Sequence, residues 1–243
     1  MEQFTTVILP YILSGISVGG QYALIAIGYT MVYGILRLIN FAHGDVFMVA
    51  GLMMVYLSAA LPLYLAVPVV ALLTVALGFV IEKIAYKPLR SAPRMSVMIS
   101  AIGVSYLLQN LALYVTGGLN KTYPTIPWIS DQVDLFGATT KRVTLITPVL
   151  TIILVILLVQ LINHTKVGMA MRAVAKDFET SQLMGIKINN VISVTFIIGS
   201  FLAAVGSMLY FSNYPGVVPT SGAMPGLKAF VAAVFGGIGS IPG

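Results

Sequence analysis

Between Glu2 and Arg37, Asp45 and Glu82, Arg94 and Lys121, Arg142 and Lys166, and Lys187 and Lys228 the chain carries no charged side chain. Each interval is at least as long as the roughly 20 apolar residues that cross a bilayer as a helix. Only 8% of the 243 residues are charged and the mean hydropathy is +0.99. A solvated surface needs about three times that share of charge. The fold class is therefore all-α: a polytopic transmembrane helical bundle.

The charges that remain set the topology, because Lys and Arg mark the loops kept in the cytoplasm. Lys83, Lys87, Arg90 and Arg94 face one acid, Glu82, and fix one cytoplasmic loop. Strict alternation then supplies the rest. Gln3 to Leu36 reads as one tilted or broken first span, with no basic leader before it and so uncleaved. Asp45 to Glu82 holds two spans, turned at "LPLYLAVP" by Pro62 and Pro68. Glu82 and Lys83 close the second. A span over about 95–116 leads to an external loop, where Trp128 and Tyr123 read as interface aromatics. Residues 143–161 return the chain inside and 191–211 take it out again. "SNYPGVVPTSGAMPG" makes an external loop or a re-entrant turn, in which Lys228 reads as a snorkelling anchor. A further apolar segment begins near Leu227 and meets Gly243 with no charged stop, so a natural chain longer than this one is expected. Gly15/Gly19 and Gly199/Ala203/Gly206 stand at spacings that suit close helix packing.

One cytoplasmic stretch gathers scarce charge. In "RAVAKDFETSQLMGIKINN", Arg172, Lys176, Asp177, Glu179 and Lys187 crowd together. On a single helix over 167–184, Val167, Met171, Val174 and Phe178 make one apolar stripe, and Arg172, Lys176 and Glu179 a charged one. Gly185 stands where a C-cap needs a left-handed residue. Such a helix either rests on anionic headgroups or docks on a protein.

The second unusual stretch is "RLINFAHGD", with Asn40, His43 and Asp45 at the mouth of an apolar segment. Ionisable groups at membrane depth line cavities or pair with one another. The stretch is a broken helix or hinge beside a translocation path, or else a plain turn in which Asp45 caps the next helix. His43 alone reads more readily as a hydrogen-bonded structural residue than as a proton relay.

The chain has no Cys, hence no disulfide and no thiolate metal site, and neither a metal nor a catalytic group is expected. It has no GxxxxGK[ST] and no domain large enough for a nucleotide. A secondary transporter would carry polar sites at broken helices in both halves, whereas the polar cluster here is single.

"ETSQLMG" (Glu179 to Gly185) resembles the EAA loop of ABC-importer permeases. A channel or scaffold subunit would not need such a loop. "YTMVYGILRLINFAHGDVFMVAG", "MRAVAKDFETSQLMGI" and "FGGIGSIPG" resemble the branched-chain amino acid permeases of the Liv type, closest to their H-type subunit, over essentially the whole chain. The resemblance implies one permease domain over 1–243 and a cytoplasmic coupling loop over 164–190. Its EAA-like coupling helix, with Arg172, Lys176, Glu179 and Gly185, would dock on an ATPase. It implies a non-catalytic subunit whose cofactor, ATP, is bound only by partners. Those partners are a second permease of M type, two cytoplasmic ATPase subunits, a periplasmic binding protein and membrane lipid. The implied solute is a branched-chain amino acid; an amide, urea or sugar is the alternative.

Overall fold

The computed structural model describes residues 8–90, 92–135 and 138–239. Six helices are long and apolar enough to cross a membrane. They include α1 (Leu9–Leu36), α2 (His43–Ala60) and α3 (Leu63–Ile81), the last continued by a π-helical turn over Glu82–Tyr86. The other three are α4 (Arg94–Thr116), α6 (Arg142–His164) and α9 (Ile188–Asn213). The bundle expected from the charge-free intervals is there. Residues 1–7, part of the first interval, lie outside the described residues, as do 240–243 of the "FGGIGSIPG" motif.

Two boundaries differ from expectation. The turn between α2 and α3 uses only Leu61 and Pro62, while Pro68 sits inside α3. An internal proline is tolerated in a membrane helix where neighbours re-satisfy the freed carbonyl. The segment near Leu227 is α10 (Ala223–Phe235), whose 13 residues rise only about 20 Å and cannot cross.

α9 is the axis of the bundle. It packs along α1, α2 and α3, and two thirds of its most apolar window is buried. Small residues let the helices approach. A Cβ added at Gly51 would meet the Phe211 ring, and one at Gly206 would lie 3.5 Å from Leu24 Cβ. α4 and α6 sit at the periphery, and their outer faces expose Ile99, Leu107, Ile153 and Leu157 to what must be hydrocarbon.

One end of the bundle collects Arg37, Lys83, Lys87, Arg90, Arg94, Lys166, Arg172, Lys176 and Lys187. The other end has Lys121, Lys141 and Arg142, so the first is cytoplasmic. The outer loop is more ordered than its composition implies. β2 (Gln132–Leu135) pairs antiparallel with β3 (Ala138–Lys141), and β1 (Lys121–Thr122) pairs with β4 (Gly216–Val217). Trp128, in the short helix α5 (Pro127–Ser130), is exposed as an interface residue should be. Tyr123 is not. It is buried against Phe211, with ring centroids 5.8 Å apart, and plugs the space beneath the loop.

The sidedness yields a direct prediction. Cysteines placed at the exposed positions Gln182 and Thr125 are expected to react with an impermeant maleimide from opposite faces, Gln182 from the cytoplasm. The chain has no native cysteine to interfere. Labelling of both from one side contradicts the topology.

Candidate functional site

The backbone between α1 and α2 turns back into the membrane. α1 ends at Arg37, the one non-glycine residue with positive φ (54°) among the described residues. Its guanidinium donates to Ala175 O at the cytoplasmic end, 3.2 Å away. Six residues later His43 lies against Gly28, well up α1, and a Cβ on Gly28 would run into the imidazole ring. Asp45 accepts hydrogen bonds from Ser105 (2.5 Å) and Gln109 (3.0 Å) of α4. Ser105 is about 16 Å along the axis from either end of α4, so Asp45 sits near the middle of the membrane. That depth is not the depth of a turn at the cytoplasmic end of the bundle. Asp45 does occupy the first turn of α2, where the helix dipole favours an acid, but no side chain caps that helix.

The three polar residues do not form one cluster. The Asn40 side-chain oxygen accepts from Tyr86 Oη at 2.7 Å, which ties the return segment to the π-helical turn. His43 is buried edge-on against Tyr29, with centroids 5.0 Å apart, and its Nε2 has no hydrogen-bond partner among the described residues. Asp45 faces α4. Non-helical backbone at this depth is stable only because it is enclosed by protein.

α10 mirrors the arrangement. Its first residues reach the same level from the outer side. A Cβ on Gly226 would come within 3.0 Å of Gly44 Cα, and one on Gly222 would strike Gly44 O. The N-termini of two broken helices therefore abut at mid-membrane, with Gly44, Gly222 and Gly226 at the closest approach. α2 runs outward from this point, and α10 runs toward the cytoplasmic end, where Gly239 lies near Gly34.

In the cytoplasmic stretch, the single helix expected over 167–184 is two. α7 (Lys166–Lys176) is capped by Thr165, whose Oγ1 accepts from Gly168 N at 3.0 Å. The chain is extended at Asp177, and α8 (Phe178–Leu183) follows. Asp177 Oδ1 accepts from Thr180 N at 3.1 Å and Oδ2 from Thr180 Oγ1. These hydrogen bonds hold its carboxyl below the usual carboxylate range. Folded and unfolded chains then differ in proton affinity. The depressed pKa means the contribution is present above the ordinary aspartate pKa and fades as pH falls through the folded value.

The break divides both stripes. Met171 and Val174 are buried, while Val167 and Phe178 are each 43% exposed. Arg172 and Lys176 remain four apart on α7, but Glu179 belongs to α8. All three side chains are exposed, and Arg172 donates to Asn163 O at 3.2 Å. Gly185 behaves as expected. With φ of 83° it lets Ile186 N bond Ser181 O (3.1 Å) and its own N bond Gln182 O (3.0 Å), a Schellman cap.

Two structural features escaped the sequence reading. Gly168 forms the α6–α7 elbow, where an added Cβ would meet the backbone of Leu161 and Ile162. Glu82 is fully buried. It pairs with Arg90, accepts from Ser193 at 2.9 Å and lies 3.6 Å from Lys83, while Arg90 also bonds Asn189. The cue for the second was the isolation of Glu82 among four bases.

A family model described as the branched-chain amino acid transport system permease component matches residues 11–243. The high-affinity branched-chain amino acid transport system permease protein BraD of Pseudomonas aeruginosa is 40% identical, over 97% of this chain and 81% of that protein. The protein of the same description in Escherichia coli, LivH, is 38% identical over 100% of this chain and 82% of its own. The ribose import permease protein RbsC of Haemophilus influenzae is 27% identical over 88% and 65%. No solved structure matches the chain. Six membrane-crossing helices and similarity along nearly its whole length lead to one conclusion: the chain belongs to the family of branched-chain amino acid transport system permease components, multi-pass proteins of the inner membrane.

Proposed function

We propose that the chain is one permease subunit of an ATP-driven, binding-protein-dependent importer of branched-chain amino acids (leucine, isoleucine and valine). The observation that carries this reading is identity of 38–40% to BraD and LivH over nearly the full chain. A sugar is the second reading, supported by the 27% identity to the ribose permease. The subunit itself is non-catalytic. ATP is hydrolysed by two cytoplasmic ATPase subunits, a second permease of M type completes the channel, and a periplasmic binding protein delivers the solute.

In this reading α7 and α8 receive the ATPase stroke. Met171 and Val174 seat α7 on the bundle, and the Arg37–Ala175 bond joins it to the end of α1. Arg172, Lys176 and Glu179 are left facing a soluble partner. A displacement of α8 has a packed route inward. Phe178 lines one pocket with Tyr86 and Arg90, and Tyr86 holds Asn40 in the segment that sets the start of α2. Coupling needs such a contiguous element with two arrangements, biased by ATP at one end and the loaded receptor at the other.

Gly185→Val is expected to harm coupling more than Glu179→Ala. The former forces a β-branched residue into the left-handed region, at roughly 1–2 kcal/mol, while the latter removes one exposed rim contact. Both variants should insert normally, and both should show weaker co-purification with the ATPases and lower hydrolysis stimulated by leucine-loaded receptor. Wild-type behaviour of Gly185→Val in both assays contradicts the coupling role. Stimulation by a ribose receptor and not a leucine receptor would move the solute assignment to the second reading.

A further inference from the structure

α10 packs on α1 and α2 through Pro225, Gly226, Ala229 and Ala233 and leaves its other face bare. Met224, Lys228, Val231 and Phe235 recur there at spacings of four, three and four, so they form one stripe along the helix. All four side chains are exposed. Lys228 stands two residues past Gly226 and so lies about 3 Å along the axis from the mid-membrane contact with Gly44. Each headgroup layer is then roughly 15 Å away, beyond the reach of a lysine stem, and the snorkelling anchor expected from the sequence does not apply.

No acid pairs with the Lys228 ammonium among the described residues. It rests over the Tyr22 ring of α1, 5.8 Å from its centre. On α1, Gly19 and Gly15 stand three and seven residues before Tyr22 and share its face. A Cβ added at either would meet nothing within 4 Å. Two glycines four apart and open to the outside let a second helix backbone approach closely in a membrane. The stripe on α10 is otherwise apolar, which suits a packed helix and not a column of water. An ammonium group in such a place needs a counter-charge.

We propose that this stripe of α10 and the glycine face of α1 seat a membrane helix of the second permease subunit, which presents a carboxylate to Lys228 inside the membrane. This rests on the permease reading and adds to it the surface by which the two subunits meet. It also makes the partner a different chain, because among the described residues a second copy has no exposed acid to offer at that depth. Of the seven acids, Asp131 and Asp134 lie in the outer loop, and Asp177 and Glu179 in the cytoplasmic stretch. Asp45 and Glu82 are enclosed, at 2% and 0% exposure. Glu2 precedes α1 and lies outside the described residues. A charge pair enclosed between two subunits ties them together, since either charge alone would be left in hydrocarbon.

The test uses the assembled importer, with both permeases and both ATPases, in proteoliposomes. Val231 is replaced by benzoylphenylalanine and the complex is irradiated. Leu157, on the exposed apolar face of α6, is replaced in the same way as the lipid-facing control. A covalent product joining this chain to the second permease is expected from Val231 and none from Leu157. Lys228→Met is expected to lower co-purification of the second permease roughly tenfold or more, the cost of one enclosed charge left unpaired, while Lys228→Arg keeps most of it. Gly19→Leu should give a similar loss. The new side chain has open space within this chain, so a lipid-facing position would accept it without effect. The photoproduct is read with both residues intact and so does not depend on either variant folding. No product from Val231, or a product only within one chain or only with a second copy, overturns the proposal. Wild-type co-purification by Lys228→Met or by Gly19→Leu overturns it as well. So does labelling of Val231→Cys by a charged methanethiosulfonate faster than Leu157→Cys, which would mean water at this face. A Val231 product with the second permease, in a wild-type complex that shows no ATP-dependent leucine uptake, would sink the permease reading and leave the interface standing.

Discussion

Gly168→Val is expected to abolish receptor-stimulated transport while leaving the six spans inserted. The α6–α7 elbow brings the start of α7 back onto the end of α6, and an added Cβ would overlap the Leu161 and Ile162 backbone. Backbone cannot rotate away as a side-chain tip can, so α7 must lift. Overpacking of this kind costs about 1–3 kcal/mol, and more against backbone. The same movement would break the Thr165 cap on Gly168, worth about another 1 kcal/mol. Lifting α7 unseats Met171 and Val174, so α8 no longer stands at a fixed height below Tyr86 and Arg90. Co-purification with the ATPases should fall more than in Gly185→Val, which has open space around it and only a dihedral cost. Gly168→Ala at wild-type coupling would show that the elbow relaxes freely.

Arg90→Met should give the largest loss of stability. Glu82 is wholly enclosed, and removing Arg90 leaves it with Ser193 and a half-exposed Lys83 at 3.6 Å. Breaking a buried pair by deleting one partner costs about 3–5 kcal/mol, and Lys83 offsets part of that. The same substitution frees Asn189 near the start of α9, so the cytoplasmic ends of α3 and α9 separate. Thermal unfolding in detergent, followed by fluorescence-detected size-exclusion chromatography, is expected to shift down by several degrees. The double variant Arg90→Met, Glu82→Gln should recover much of the loss, because no uncompensated charge remains. An unchanged single variant would mean that the pair is screened by water.

These two residues mark where sequence reading stops. Charge-free intervals locate membrane helices because hydrocarbon penalises charge, and α1–α4, α6 and α9 fall within a few residues of those intervals. Depth is another matter. Arg37 and Asp45 bracket a stretch whose sequence suits a broken helix in the membrane as well as a turn at its edge, and the backbone there re-enters the membrane. It can do so because Tyr86, Tyr29, Ser105 and Gln109 receive its polar groups, and those residues lie on other elements. Ser105 and Gln109 are four apart and so share one face of α4, a local hint that this face meets something polar.

At the cytoplasmic stretch the helical period of Val167, Met171, Val174 and Phe178 runs straight through Asp177. Periodicity does not register that an Asp can leave the helix to cap the next one through Thr180. Gly185 was legible because a left-handed cap has a residue preference of its own. Gly168 was not, since its requirement comes from the fold of α6 over α7 and not from any local conformation.

The central claim is that this chain passes an amino acid inward with ATP as the sole energy source. The most direct measurement is uptake of labelled leucine into proteoliposomes holding the chain with the proposed partner permease and ATPases. Leucine-loaded binding protein is placed outside, and ATP is sealed inside or omitted. Accumulation above the external concentration only when both ATP and binding protein are present, unaffected by collapsing proton and sodium gradients, is the predicted result. Uptake that needs no ATP and disappears with an ion gradient would contradict the account.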